Sequence, residues 1–112
     1  MSGISTHVLD TSIGRAAAGI PVVLERADGQ HWNTVASCVT DPDGRCPKLM
    51  AVENVYAGRF RLTFATAAYF ATHHQPTLYP EVTIIFDVAI DHSNYHIPLL
   101  LNPFGYTTYR GT

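Results

Sequence analysis

Six histidines and a few arginines are the side chains of this sequence with the clearest capacity for chemistry. His7 and His96 lie in segments where apolar and polar residues alternate, which is typical of half-buried strands. If the more apolar set faces the core, both imidazoles lie on outer faces, beside Leu9, Pro98 and Leu100. Such an apolar outer face predicts a subunit interface or a pocket wall, in which the two histidines either do chemistry or only pack.

The remaining candidates are one histidine pair and two arginines. His73 and His74 lie at the end of a predicted helix, where imidazoles satisfy terminal carbonyl groups, and we interpret them as capping residues. Neighbouring helical residues point about 100° apart, so this pair is weak evidence for a metal site. Arg45 follows a tight turn and Arg110 lies near the C-terminus. Each is either solvated or a ligand for amide, urea or carboxylate groups.

Several familiar catalytic signatures are missing from the sequence. There is no glycine-rich phosphate loop, no Gly-x-Ser-x-Gly elbow and no His-Glu-x-x-His pattern. Cys38 and Cys46 lack the Cys-x-x-Cys spacing of a zinc motif, and the first residues lack the features of a secretory signal. We therefore expect no metal, a cytoplasmic location and two free thiols.

The elements that must position these side chains are mostly strands. Period-two alternation and turn residues predict six strands, over residues 4–10, 20–26, 32–40, 59–64, 83–90 and 95–101, with weaker candidates at 47–50 and 106–110. Alanines break the pattern over 66–74 and predict one short helix with Thr66 as its N-cap. The spacing of the strands favours a β-sandwich.

Composition limits the class of protein. With 112 residues and 46% hydrophobic residues, the chain is predicted to form a single domain over residues 1–112 with a packed core. Its formal charge of −2 and the absence of a basic block argue against nucleic acid, and no apolar run is long enough for a membrane helix. Only 14% of residues are charged, against about 25% in an average domain, which indicates oligomerisation.

Four motifs together resemble the 5-hydroxyisourate hydrolases, the transthyretin-related enzymes of urate breakdown. They are Ser-Thr-His-Val-Leu-Asp-Thr at 5–11, Asp-Gly-Arg at 43–45, Tyr-His-Ile-Pro-Leu-Leu-Leu at 95–101, and the tail Tyr-Arg-Gly-Thr at 109–112. The resemblance covers almost the whole chain. The family usually closes with serine, so Thr112 is a departure that keeps a hydroxyl and adds a methyl group.

The resemblance implies an all-β, transthyretin-like sandwich of seven or eight strands with one short helix, assembled as a homotetramer with active sites in a central channel. It implies cofactor-free hydrolysis of 5-hydroxyisourate to 2-oxo-4-hydroxy-4-carboxy-5-ureidoimidazoline. The family's catalytic groups match His7, Arg45 and His96, leaving open which histidine is the base. The substrate-binding residues implied are His7, Arg45, Tyr109, Arg110, Gly111 and Thr112.

Two other functions compete with hydrolysis. The same sandwich and channel serve transthyretin itself as a carrier of a hydrophobic hormone, and a sandwich is also a common interaction module. Convergent polar residues such as His7, Arg45 and His96 favour the enzyme, because a carrier of an apolar ligand needs an apolar pocket.

Overall fold

The computed structural model describes residues 3–46, 49, 57–89 and 94–112. Within these residues the chain forms strands and one short helix. In order they are β1 (Ile4–Asp10), β2 (Arg15–Ala16), β3 (Pro21–Asp28), β4 (His31–Val39), β5 (Gly58–Phe64), α1 (Ala67–Thr72), β6 (Val82–Val88), β7 (Tyr95–Asn102) and β8 (Gly105–Thr108). The predicted all-β class is confirmed.

The strands build two four-stranded sheets. The first sheet has the order β2-β1-β7-β8, and the second has the order β4-β3-β5-β6. All neighbours pair antiparallel except β1 and β7, which run parallel. The largest fully buried side chains come from both sheets and from the helix, and they include Phe60, Phe64, Phe70, Ile4, Leu24, Leu62 and Leu99. The core is therefore the layer between the two inner faces of a sandwich.

Strand β5 shows how alternation produces this layer. Phe60, Leu62 and Phe64 are fully buried, while the side chains between them point to the outer face. On that outer face Arg61 lies 2.8 Å from the carboxylate of Glu25 and stacks over the ring of Trp32 at 4.3 Å. A one-residue slip in register would exchange these two sets, so the apolar alternation fixes the pairing of β5 with its neighbours.

The same rule orients the strand pair that carries the histidines. Along β1 the even-numbered residues are buried and the odd-numbered residues, Ser5, His7 and Leu9, are half-buried on the outer face. The parallel register places Ser5 opposite His96 and Leu9 opposite Leu100. The prediction that both imidazoles lie on the outer face is confirmed.

The predicted strands agree with the structure to within two residues at the described ends. The weak candidate at 106–110 corresponds to β8, and the one at 47–50 lies, apart from Leu49, outside the described residues. Sequence analysis missed β2, because a two-residue strand is too short to show alternation. It is identified only by its pairing with Leu9 and Asp10 of β1.

The predicted helix is present as α1, but one of its expected contacts differs. Thr66 is at the N-cap position, yet its hydroxyl donates to the carbonyl oxygen of Tyr79 at 2.8 Å and makes no side-chain cap. At the other end, Nδ1 of His73 lies 2.8 Å from the carbonyl oxygen of Tyr69, as expected for a capping residue. Across the described ranges, no helix is long and apolar enough to cross a membrane.

The prediction of two free thiols is wrong in this structure. Cys38 and Cys46 form a disulfide, with their Cα atoms 6.2 Å apart. Cys38 lies near the end of β4, and the turn that follows brings Cys46 back beside it, because Asp41 N and Arg45 O are hydrogen-bonded at 3.0 Å. Sequence spacing alone did not reveal this reversal of the chain. The disulfide ties the segment after Arg45 to the second sheet.

We expect Cys38→Ala to lower the free energy of unfolding by about 2–3 kcal/mol, because the disulfide closes a short loop in the unfolded chain. Urea titration of the oxidised proteins measures this difference. When both proteins are titrated with a thiol reductant present, most of the difference should disappear. Alkylation of both cysteines in unreduced, denatured protein would contradict the disulfide.

Candidate active site

The outer face of the first sheet brings the predicted catalytic residues together in two rows across the strands. One row runs Arg45, His7, Pro98, and the other runs Ser5, His96, Gly111, as the strand register and two isolated bridges show. We call these six residues the histidine face. Strand spacing and rise place the Cα atoms of the two histidines about 8 Å apart, close enough for both to contact one small ring.

His7 is oriented by the turn that carries Arg45. Its Nε2 lies 2.9 Å from the carbonyl oxygen of Asp43, and a carbonyl only accepts, so Nε2 carries the hydrogen. A backbone bridge also joins His7 to Arg45. The imidazole of His7 and the start of the Arg45 side chain are therefore held side by side.

Arg45 is positioned by a tight turn with a required glycine. The carboxylate of Asp41 accepts hydrogen bonds from the amides of Asp43 at 2.9 Å and Arg45 at 3.0 Å. Gly44 has φ +76°, and a Cβ there would collide with the carbonyl oxygen of Val8. The guanidinium of Arg45 is exposed and has no salt bridge to an acidic side chain among the described residues. It is thus a fixed positive charge available to a ligand.

His96 lies between two neighbours on the histidine face. Its Nδ1 is 2.9 Å from the hydroxyl of Ser5, and its Cδ2 side faces Gly111 so closely that a Cβ there would approach within 2.5 Å. Burial lowers the pKa of His96, and the nearby charges of Arg45 and His7 lower it further. Both effects favour the neutral form of the imidazole, which is the form able to accept a proton.

The structure brings only part of the predicted tail to this site. The Gly111 amide donates to the carbonyl oxygen of His96 at 2.7 Å, whereas Tyr109 and Thr112 are exposed. The guanidinium of Arg110 lies 4.4 Å over the ring of Tyr95, which precedes His96 and so points to the opposite face of the sheet. The Arg110 side chain therefore does not reach the histidine face in this chain.

Ser5 is the member of the histidine face that sequence analysis did not single out. A serine in a strand carries no chemical signal, and its importance depends on being the register partner of His96. As for metals, the described ranges contain no group of three or more His, Cys, Asp or Glu residues that could bind an ion.

We expect Gly111→Ala to displace the His96 ring, because the new Cβ would collide with Cδ2 of His96 and press on Pro98 Cγ at 3.2 Å. The His96 ring resonances in an NMR spectrum report this displacement. Gly105→Ala is the matched control, since a Cβ there meets only the Asn102 side chain at 3.7 Å. Equal changes in the two variants would contradict the packing described here.

Comparison with known proteins places this arrangement in a family. A 5-hydroxyisourate hydrolase from Mus musculus is 38% identical over 113 residues, covering 99% of this chain and 96% of the relative. The solved Klebsiella pneumoniae 5-hydroxyisourate hydrolase is 37% identical, with a TM-score of 0.86 over 99% of this chain and 100% of that one. Transthyretin from Sparus aurata is 26% identical, with a TM-score of 0.93 over 99% of this chain and 97% of that one. The model of the HIUase/Transthyretin family matches residues 4–111, and the chain belongs to that family.

Proposed function

We propose that this chain is a 5-hydroxyisourate hydrolase. It opens the six-membered ring of that substrate with water and yields 2-oxo-4-hydroxy-4-carboxy-5-ureidoimidazoline in urate degradation. The observation that carries the proposal is the convergence of His7, His96 and Arg45 on one sheet face. Relatives 38% and 37% identical over nearly the full chain carry the same enzyme name.

The chemistry requires a proton acceptor and a positive charge. Water attacks an amide carbonyl of the ring, so a group must remove a proton from water while the carbonyl oxygen becomes negative. The C–N bond of that amide then breaks, and the protonated base returns the proton to the leaving ring nitrogen. His96 suits the first task because burial and the charge of Arg45 lower its pKa and keep it neutral. Arg45 suits the second because its guanidinium is always charged and has no acidic partner in the described part of the chain. His7 then binds the ring beside Arg45.

The C-terminal tail completes the binding site in this proposal. Gly111 packs against His96. In the proposal, the exposed Tyr109 and Thr112 contact substrate directly or from a neighbouring subunit. Arg110 has a different role from the substrate-binding one that the resemblance implied. Its stacking on Tyr95 anchors the tail.

The carrier alternative has less support than the enzyme. The backbone is more similar to a transthyretin, at a TM-score of 0.93, than to a hydrolase, at 0.86, but one fold serves both kinds of protein, so the fold does not decide the function. The side chains do separate them, because an apolar ligand would offer no polar partner to Nε2 of His96 or to the guanidinium of Arg45. Sequence identity points the same way, at 37% for the hydrolase and 26% for the transthyretin.

The proposal extends to assembly, cofactor and location. We propose one domain over residues 1–112, a homotetramer, and a reaction without metal or organic cofactor. A cytoplasmic location is part of the same proposal, although the Cys38–Cys46 disulfide is unusual for a reducing compartment. Thiol trapping in intact cells, before lysis, determines the state of these two cysteines and tests the location.

Purified protein should accelerate the ultraviolet decay of 5-hydroxyisourate generated in situ from urate, with or without a metal chelator. His7→Ala, Arg45→Ala and His96→Ala should each lower turnover by more than about tenfold, because they remove the ring-binding, the charge-stabilising and the proton-accepting group, respectively. As pH falls, kcat/KM should decline with a midpoint below the ordinary imidazole value of 6.5, since only neutral His96 accepts a proton.

His73→Ala is the matched histidine control for these variants. Its Nδ1 bonds a carbonyl oxygen at the end of α1, away from the histidine face, so turnover should stay near that of the unaltered protein. Equal losses at all four positions would show that the activity does not depend on this site. Activity that chelator removes and zinc restores would contradict the cofactor-free reaction.

Leu100→Glu should dissociate the tetramer and remove activity together. Leu9 and Leu100 are register partners on the outer face of the first sheet, so a subunit covering them also excludes water from the histidines. Burying an unpaired carboxylate there costs several kcal/mol. Sedimentation measures the dissociation, and turnover measures the loss of activity. Val35→Glu is the control, because it places the same charge at an exposed position of β4 in the other sheet. A fully active Leu100→Glu monomer would show that each subunit holds a complete site.

A further inference from the structure

We propose that Ser5 is a positioning residue for His96. Its hydroxyl accepts the hydrogen of Nδ1, so that Nε2 is the unprotonated nitrogen facing the substrate. This inference rests on the proposed hydrolase function and adds a residue to it. It starts from one contact, the 2.9 Å separation of Ser5 Oγ and His96 Nδ1.

The fold makes this contact a consequence of strand pairing. Ser5 and His96 are 91 residues apart in sequence, yet they are direct partners in the parallel register of β1 and β7. Both side chains are half-buried on the same outer face. The pairing therefore delivers one hydroxyl to one ring nitrogen.

The surroundings of the ring leave a single nitrogen for the substrate. Nδ1 and Cδ2 are the two ring atoms bonded to Cγ; Nδ1 faces Ser5 and Cδ2 faces Gly111. Because both inner positions are occupied by neighbours, the outer edge made of Cε1 and Nε2 points away from the sheet. Nε2 has no hydrogen-bond partner among the described residues, which leaves it free to contact water or substrate.

The tautomer decides whether that nitrogen can act as a base. A neutral imidazole carries one hydrogen, and only the nitrogen without it accepts a proton from water. An unassisted ring populates both tautomers, so part of the enzyme would present an N–H to the attacking water. A serine hydroxyl that accepts from Nδ1 favours the productive tautomer without adding charge.

The charged and titratable groups around His96 are separate from this contact. His7 approaches from β1 and Arg45 from the turn after β4, and both act to keep the ring neutral. On the opposite face of β7, Tyr95 and Arg110 stack on one another. Replacing Ser5 by alanine leaves all of these in place, so it changes the tautomer balance more than the pKa of His96.

The direct test is the nitrogen-15 NMR spectrum of His96 in the full-length protein, recorded above its pKa. We expect Nδ1–H as the dominant tautomer, a mixture of tautomers in Ser5→Ala, and recovery in Ser5→Thr, which keeps the hydroxyl. A dominant Nε2–H tautomer in the unaltered protein would overturn the proposal. This measurement needs no substrate, so it decides the role of Ser5 even if the hydrolase function fails.

Kinetics provide the second test. Ser5→Ala should lower kcat by about fivefold or more with little change in KM, because the ring stays in place but less of it is in the productive tautomer. Ser5→Thr should restore most of kcat, and the exposed Ser37→Ala in β4 should match the unaltered protein. Unaltered kcat in Ser5→Ala, or an equal loss in Ser5→Thr, would show that the hydroxyl has no such role.

Discussion

The parallel pairing of β1 with β7 is the constraint on which the rest of the site depends. Its register sets Ser5 opposite His96 and His7 opposite Pro98, so the odd positions of β1 and the even positions of β7 share one face. A slip of either strand by one residue would move a histidine into the core and bring a core residue out. The buried even positions of β1, such as Ile4 and Val8, make that slip costly. The apolar core therefore holds the geometry of the histidine face in place.

A second, more local constraint fixes the positive charge beside that face. Val8 donates its amide to the carbonyl oxygen of Gly44 at 2.7 Å, so the turn containing Arg45 docks on the edge of β1. Gly44 allows this approach because it has no Cβ. Cys46, which follows Arg45, is held against β4 by its disulfide with Cys38. Arg45 is thus fixed from both sides, by a turn on one sheet and a covalent link to the other. These contacts hold the backbone of Arg45, so they limit the region beside His7 that its exposed guanidinium can reach.

Sequence patterns predicted most of the strands and the faces on which His7 and His96 lie, for a physical reason, whereas the choice of His7, Arg45 and His96 as catalytic groups came from the family resemblance and stays a prediction. Alternation records which face of a strand is buried, so His7 and His96 could be assigned to outer faces without any coordinates. What alternation does not record is which strands are neighbours. The contact of Ser5 with His96, the short strand β2 and the Cys38–Cys46 disulfide all depend on chain reversal or on pairing between distant segments. The position of Arg110 was missed for a related reason, because the path of the tail past β8 decides which face its side chain reaches.

The two faces of the first sheet have separate roles, one in core packing and one in forming the histidine face. This separation explains how one sandwich can serve both hydrolases and transthyretins. Core packing uses the even positions of β1 and the odd positions of β7, whereas the histidine face uses the alternate set. Substitutions on the outer face therefore change the chemistry with little effect on the inner layer, since the two sets of side chains do not contact one another across the sheet. A backbone close to transthyretin, with a TM-score of 0.93, is then compatible with a different function. The polar groups of this chain are held on the histidine face, where the hydroxyl of Ser5 occupies Nδ1 of His96 and leaves Nε2 as the ring nitrogen open to a ligand.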